Sequence, residues 1–406
     1  MSTIVLKFGG TSVATTDLIK SAASIVKKEY DAGNNLAVVV SAMAGTTNSL
    51  INYVKEINSN LDAEYDVVVS SGEQVTSGLM SMALNEIGVP SRSWLGWQLP
   101  ILTSGPHKNS LIDKINSEKI LEDFKKKKVA VLAGFQGLSA EGRITTIGRG
   151  GSDNTAVFLA SALNADRCDI YTDVDGVYTS DPKITPKVKK LNKVSYEEMI
   201  EMASQGAKVL QTASVESAMS KNVSVHVRST FNPNDKGTEI SIDGEGEILR
   251  AVTGVAYSKD EAKITLIDLV DEPGIAAKIF NKLSDQSINV DMIVQNNFIE
   301  RKMTNLTFTI PMGDLEKSIS ILEKLKDQID FSRIISEDNL SKVSIIGSGM
   351  RNQPGIAAKM FNCLSEQNIN IEVISTSEIK VSVLIDKART EDAVSSLHDT
   401  FKLDNI

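Results

Sequence analysis

Histidine is nearly missing from this sequence. The three present in 406 residues, His107, His226 and His398, show no triad-like arrangement. Histidine general-base chemistry is therefore not the expected method. Cysteine is as scarce: Cys168 and Cys363 stand far apart, with no second cysteine or histidine at metal-ligand spacing. That argues against a zinc site and for a reduced, cytoplasmic chain. Long apolar runs are lacking too. No stretch reaches the roughly 18 residues that a membrane span needs, and the start has no signal-peptide core, so neither a membrane nor export is expected. Positive charge is in deficit, with 43 Lys and Arg against 52 Asp and Glu for a net charge of −9. Without a long basic face, nucleic acid is not an expected partner. The basic run Lys125–Lys128 follows the amphipathic Ile120, Leu121 and Phe124. It reads as the solvated carboxyl end of a helix, where cations suit the dipole.

What is present is globular in composition, 41% hydrophobic and 23% charged, and too long for one ordinary core. Two or three domains are expected. Through residue 247 short β-rich runs alternate with helical patterns. TIVLKF, NLAVVVSAM, DVVVSS, SRSWLGW, VAVLAGFQG, RCDIYTDVDG and SVHVRST read as strands; EQVTSGLMSMALNEIG and NTAVFLASALNA read as helices. Strands apolar on both sides, alternating with helices, predict a mainly parallel sheet covered on both faces, a three-layer α/β sandwich. The polar NPNDKGTEISIDGEGE (232–247) closes this region as a loop.

An internal repeat follows. DEPGIAAKIFNKLSDQSINVDMIV (271–294) matches NQPGIAAKMFNCLSEQNINIEVIS (352–375) at an offset of 81 residues. Two copies of one supersecondary unit are implied. Copy one reads βαββαβ, the split βαβ of ferredoxin-like domains. Copy two ends with KLDNI and lacks a convincing last strand, whereas LRAVTGVAYS (249–258) is strand-like and unpartnered. The expected layout is a domain over 1–247, a repeat unit over 263–340 inserted into a second one, and that second unit built from 249–262 plus 341–406.

The first chemical question is why Lys7 ends a strand and is followed at once by Gly9 and Gly10. A tight strand-to-helix turn with a surface lysine is one answer. A phosphate site, where backbone N–H groups, a helix amino end and a positive charge converge on an anion, is the other. The order is not that of a Walker A loop, in which the glycines precede the lysine.

KFGGTS (7–12), SAMAGTTNSL (41–50), SSGEQ (70–74), GFQG (134–137), RITTIGRGGSDNTA (143–156), YTDVDGVYTSDP (171–182) and GAKVLQTAS (206–214), in this order and with the Pro-Gly repeats behind them, resemble the aspartate kinases of the amino-acid kinase superfamily. The repeats are similar to paired ACT domains. The resemblance spans essentially the whole chain. It implies transfer of the ATP γ-phosphoryl group to the β-carboxylate of L-aspartate, with Mg²⁺ bound mainly through the phosphates. A carboxylate with an ordinary pKa of about 3.9 is already ionised and needs no base. The obstacle is repulsion between two anions, which positioning and positive charge overcome.

By the resemblance, Lys7 and Asp153 are catalytic, with Gly9 and Gly10 opening the backbone to phosphate. Arg149 anchors the aspartate α-carboxylate, Glu73 receives its ammonium group, and Ser41, Thr47, Phe135 and Ser152 line the pocket. Thr172, Asp173, Tyr178, Lys183, Lys208 and Val209 match nucleotide contacts. In the first repeat Gly274, Ile275, Ala276, Val290, Asp291 and Asn296 match an effector site, for lysine first and threonine second, and ACT pairing implies a homodimer or homotetramer. Simpler roles stand beside these. Ser152 or Asp153 could be a helix N-cap, Glu73 a first-turn acid, Phe135 core, Lys208 a solvated helix residue, and the repeat a structural duplication. TSGPHKNSL (103–111) and the residues after Val209 depart from the family pattern, and no substrate role is assigned to 103–110. Three rivals stay in view. They are a kinase for N-acetylglutamate, glutamate or a nucleoside monophosphate, an inactive amino-acid sensor, and a fusion to homoserine dehydrogenase, which the length makes unexpected.

Overall fold

The computed structural model describes residues 1–57, 61–148, 150–205, 209–242, 250–298, 303–326 and 328–405. They form two compact units. The first holds Met1–Tyr178, Lys190–Ser204 and the described residues of 208–248; the second holds Thr179–Lys189, Gln205 and the described residues from 249 onward.

The first unit is built on an eight-stranded sheet. Its spatial order is Lys193–Ser195, Thr238–Ser241, Val225–Ser229, Arg167–Thr172, Thr3–Phe8, Asn35–Val40, Val129–Ala133 and Ser91–Trp94. Every neighbouring pair is parallel except Val225–Ser229 with Thr238–Ser241. The central strands are buried on both faces, which is why they read as continuous apolar runs. Alternation along Thr3–Phe8 sorts its residues between two layers. Ile4, Leu6 and Phe8 join Ile19, Ala22 and Val26 of helix Thr16–Asp31 and Met80 and Leu84 of helix Ser71–Glu86 in one core. Lys7 faces the other way, toward helix Gly151–Ala162. Phe8 stacks on Tyr171 of the next strand, ring centroids 5.0 Å apart, a contact worth about 1 kcal/mol beyond its buried area.

Three readings are corrected here. DVVVSS is not a strand: Asp62–Val69 is a helix. Its β-branched composition is overridden because Asp66 and Val69, three apart, both turn inward while Val67 stays exposed. Thr238–Ser241, placed inside a closing loop, is a strand of the main sheet. A separate four-stranded sheet, Leu111–Ile115, Ile101–Ser104, Gln136–Leu138 and Ile144–Thr146 in spatial order, lies where a single strand over VAVLAGFQG was expected to continue.

In the second unit, Gly254–Val270 and Arg333–Ile346 are two long antiparallel strands at the centre of a six-stranded sheet. Ala262–Val270 also pairs with Met303–Ile310, and Leu340–Ile346 with Lys380–Asp386. Gly254–Ser258 lies against Lys342–Ile346, so it serves the second copy's half of the sheet. The repeats thus share continuous strands instead of owning separate sheets. Each half keeps its own core, one around Ile264, Leu283 and Phe308, the other around Val343, Leu364 and Leu397. Gly274 and Gly355 stand at φ 97° and 90° as caps of helices Ile275–Ser284 and Ile356–Glu366. That left-handed backbone is open to glycine at no steric cost, and it explains the repeated Pro-Gly.

Candidate active site

Parallel strands Thr3–Phe8, Asn35–Val40 and Arg167–Thr172 end side by side, and ligands of open α/β sheets bind beyond such carboxyl ends. The loops leaving them are tied together. Ser41 N–H donates to Phe8 O at 3.1 Å, Gly9 N–H to Tyr171 O at 3.0 Å, and Thr230 N–H to Thr172 O at 3.1 Å. Gly10 passes so close to the loop after Val40 that a β-carbon there would stand 2.9 Å from Ala42 O. No other residue fits without moving that backbone.

Lys7 is 8% exposed, and its Nζ lies 2.6 Å from Asp153 Oδ1. The contact is an ion pair, and Asp153 Oδ1 is buried with no hydrogen bond from any other group. Asp153 and Ser152 sit in the first turn of helix Gly151–Ala162, where the dipole favours negative charge. Neither is the cap. Gly150, at φ 73°, holds that position, and no side chain caps the helix. Phe135, at φ 66°, donates its N–H to Thr155 Oγ1 at 3.2 Å and packs over Gly151. It is thus a wall of this helix start.

Across the loops lies Glu73, in the first turn of Ser71–Glu86 and 4% exposed. Its Oε1 accepts from Ala42 N–H at 3.1 Å, while Oε2 is buried without a hydrogen bond. Burial pushes the carboxyl up to about 7, against the opposing pull of backbone donors including Ala42. A buried carboxylate with one oxygen unmet is poised for a cation. Thr47, half-buried, follows Thr46, whose methyl lies against Gly72 beside Glu73.

The nucleotide set is assembled only in part. Thr172 Oγ1 donates to the exposed Asp173 at 3.0 Å, and Tyr178 Oη donates to Asp175 at 2.8 Å, where burial first and Asp175 next raise it to about 12. Val209 is half-buried ahead of helix Thr212–Lys221. Lys183 is exposed and falls in the second compact unit. Arg149 and Lys208 lie outside the described residues.

In the first repeat, Gly274 caps its helix, Ile275 and Val290 edge the core, and Ala276 and Asn296 are exposed. Asp291 is already engaged. Lys342, 4% exposed, bonds it and holds Glu261 at 2.9 Å. The second repeat mirrors this: Lys263 lies 3.1 Å from both Glu372 and Glu337, and Glu372 stands 81 residues after Asp291. Neither lysine was flagged by sequence reasoning; the repeat offset, with an acid conserved in type at 291 and 372, was the available signal. Asp66 and its partners were missed as well, because DVVVSS reads as a strand.

Residues 2–229 match the Amino acid kinase family, and residues 267–325 and 343–401 each match an ACT domain. An aspartate kinase of Pseudomonas putida is 48% identical, covering 100% of this chain and 98% of its own length. Two crystal structures of E. coli aspartokinase III are similar in fold at 27% identity. One, in complex with aspartate and ADP, has a TM-score of 0.80 and covers 98% of this chain and 99% of that one. The other, in complex with lysine and aspartate, has a TM-score of 0.78 with the same coverage. A family match over residues 2–229, two ACT matches after it and 48% identity along the whole chain show that the chain belongs to the aspartate kinases.

Proposed function

We propose that the chain moves the γ-phosphoryl group of ATP onto the β-carboxylate of L-aspartate, giving 4-phospho-L-aspartate. The observation that carries this is the buried, half-satisfied Glu73 carboxylate together with Lys7 at the start of helix Gly151–Ala162. Glu73 takes the substrate ammonium, which fixes the amino acid by its α-carbon. Arg149 and Ser152 take the α-carboxylate, and Ser41, Thr47 and Phe135 close the pocket. The β-carboxylate attacks unaided. Lys7 draws charge off the transferring group, and Asp153 holds Lys7 in line, while Gly9 and Gly10 let backbone donors approach. Thr172, Asp173, Tyr178, Lys183, Lys208 and Val209 are read as serving the nucleotide. Mg²⁺ is read as carried mainly on the phosphate oxygens. It would supply charge neutralisation there.

ATP-dependent acyl phosphate, trapped with hydroxylamine, tests this. Product is expected with aspartate and not with glutamate or N-acetylglutamate. No product with any acid, alongside measurable lysine binding, would leave a sensor and no kinase.

The ACT unit is read as the seat of feedback by lysine or, second, threonine, in a homodimer or homotetramer paired through these domains. An E. coli relative was crystallised with lysine and aspartate. Here Asp291 would hold the effector ammonium, and Lys342 is a tethered ammonium already on it. The two must compete. Asp291→Ala should raise the lysine concentration for half-inhibition about tenfold, the worth of one charge-assisted bond. Lys342→Met should lower it, because the rival is gone. Inhibition curves that move together, or not at all, would take the effector away from Asp291.

A further inference from the structure

Seven residues before Glu73 in the chain, Asp66 is fully buried on helix Asp62–Val69. Its carboxylate gathers three other groups. Thr146 Oγ1 donates to Oδ1, His107 Nδ1 lies 2.6 Å from Oδ2, and Lys108 N–H donates to Oδ1 at 3.1 Å. A buried carboxylate so saturated is a fixed joint, since moving any donor away strands charge.

Three segments meet at this joint. Helix Asp62–Val69 runs through Ser70 directly into helix Ser71–Glu86, which carries Glu73 in its first turn. Ser70 O is itself held by Gln136 Nε2 at 3.2 Å. Thr146 ends strand Ile144–Thr146 and stands just ahead of Gly148, where the GRGGSD loop begins. The 106–110 loop braces that entry from the side. Ser110 N–H donates to Thr146 O at 3.0 Å, and the Asn109 side-chain oxygen lies where a β-carbon on Gly148 would be. One carboxylate therefore links the element that presents Glu73 to the strand that leads to Ser152 and Asp153.

We propose that Asp66, with Thr146 and His107, sets the spacing between the ammonium end and the carboxylate end of the amino-acid pocket. They are positioning residues for the amino acid and not for the nucleotide. This rests on the pocket read above, with Glu73 at one end and the GRGGSD loop at the other. It also gives the HKN segment a structural task in place of a substrate contact.

Thr146→Val keeps the shape of the side chain and removes one donor, leaving His107 and the Lys108 N–H on Asp66. On the full chain, it should raise KM for aspartate more than threefold while KM for ATP stays within twofold, and Thr146→Ser should bring it back to wild type. Asp66→Asn should act in the same direction and further; if it does not fold, the Thr146 pair still decides. A smaller rise in Thr146→Val, a rise in both KM values together, or no recovery in Thr146→Ser overturns the proposal. A wild type that makes no acyl phosphate from aspartate fails at an earlier step, and takes the pocket reading with it.

Discussion

Lys7→Ala should lower kcat by roughly 10³-fold, because phosphoryl transfer leans on positive charge placed where it spreads over the oxygens. Substrate repulsion is the main barrier here, and the nucleophile needs no deprotonation. The loss therefore falls on kcat more than on KM for aspartate. Stability moves separately. Lys7 and Asp153 are both nearly buried, at 10% and 12% side-chain exposure, and breaking such a pair from one side strands the other charge. That costs on the order of 3 kcal/mol, readable as a lower urea midpoint. Adding Asp153→Asn to Lys7→Ala should return most of this stability and none of the activity. Arginine is no substitute, since its planar fork does not fit a site built for a compact ammonium. If Lys7→Ala keeps kcat within tenfold, the lysine belongs to the turn and the catalytic reading of KFGG fails.

The core of the fold was open to inspection in the sequence because the physics there is local and periodic. TIVLKF, NLAVVV and VAVLA are apolar on both sides, as strands between two helical layers must be. The doubled PGIAAK segment announced two helices, and each starts at a glycine with positive φ. What escaped was decided by tertiary context. Three valines made Asp66–Ser71 look like a strand, yet Asp66 turns inward to meet Thr146, eighty positions along the chain. No window of sequence contains that contact. The same holds for Lys342 and Lys263, each of which reaches one acid of the opposite repeat, Asp291 and Glu372. At the site, KFGG and GRGGSD were legible as motifs. Glu73 was named by the same resemblance, but its unmet oxygen was not legible, because that depends on a burial that only the packed loops create.

Glu73→Gln should trade activity for stability, and the trade should depend on pH. Burial lifts the folded carboxyl from an ordinary 4.5 to about 7, so folding favours the neutral acid. A raised folded pKa means that stability is fully present below about pH 4.5, falls as pH rises through this window, and levels off above 7. A rise from 4.5 to about 7 corresponds to about 3 kcal/mol lost by pH 8, at 1.36 kcal/mol per unit. Glutamine carries no such penalty. Glu73→Gln should therefore match the wild type near pH 4 and exceed it by up to about 3 kcal/mol at pH 8, measured by urea unfolding at both values. Activity should go the other way. Only the carboxylate can bind the substrate ammonium at full strength, so wild-type kcat/KM for aspartate should climb with pH along a limb centred near 7. Glu73→Gln should lie roughly 10²-fold below the plateau, without that limb, for want of one charge-assisted bond to a buried cation. Aspartate itself supplies the charge that burial withholds, which is why a binding site can keep a carboxylate where folding alone would not. A variant that gains no stability at pH 8 would mean that Glu73 titrates in the ordinary carboxylate range in the folded protein, and the limb would then have to come from another group.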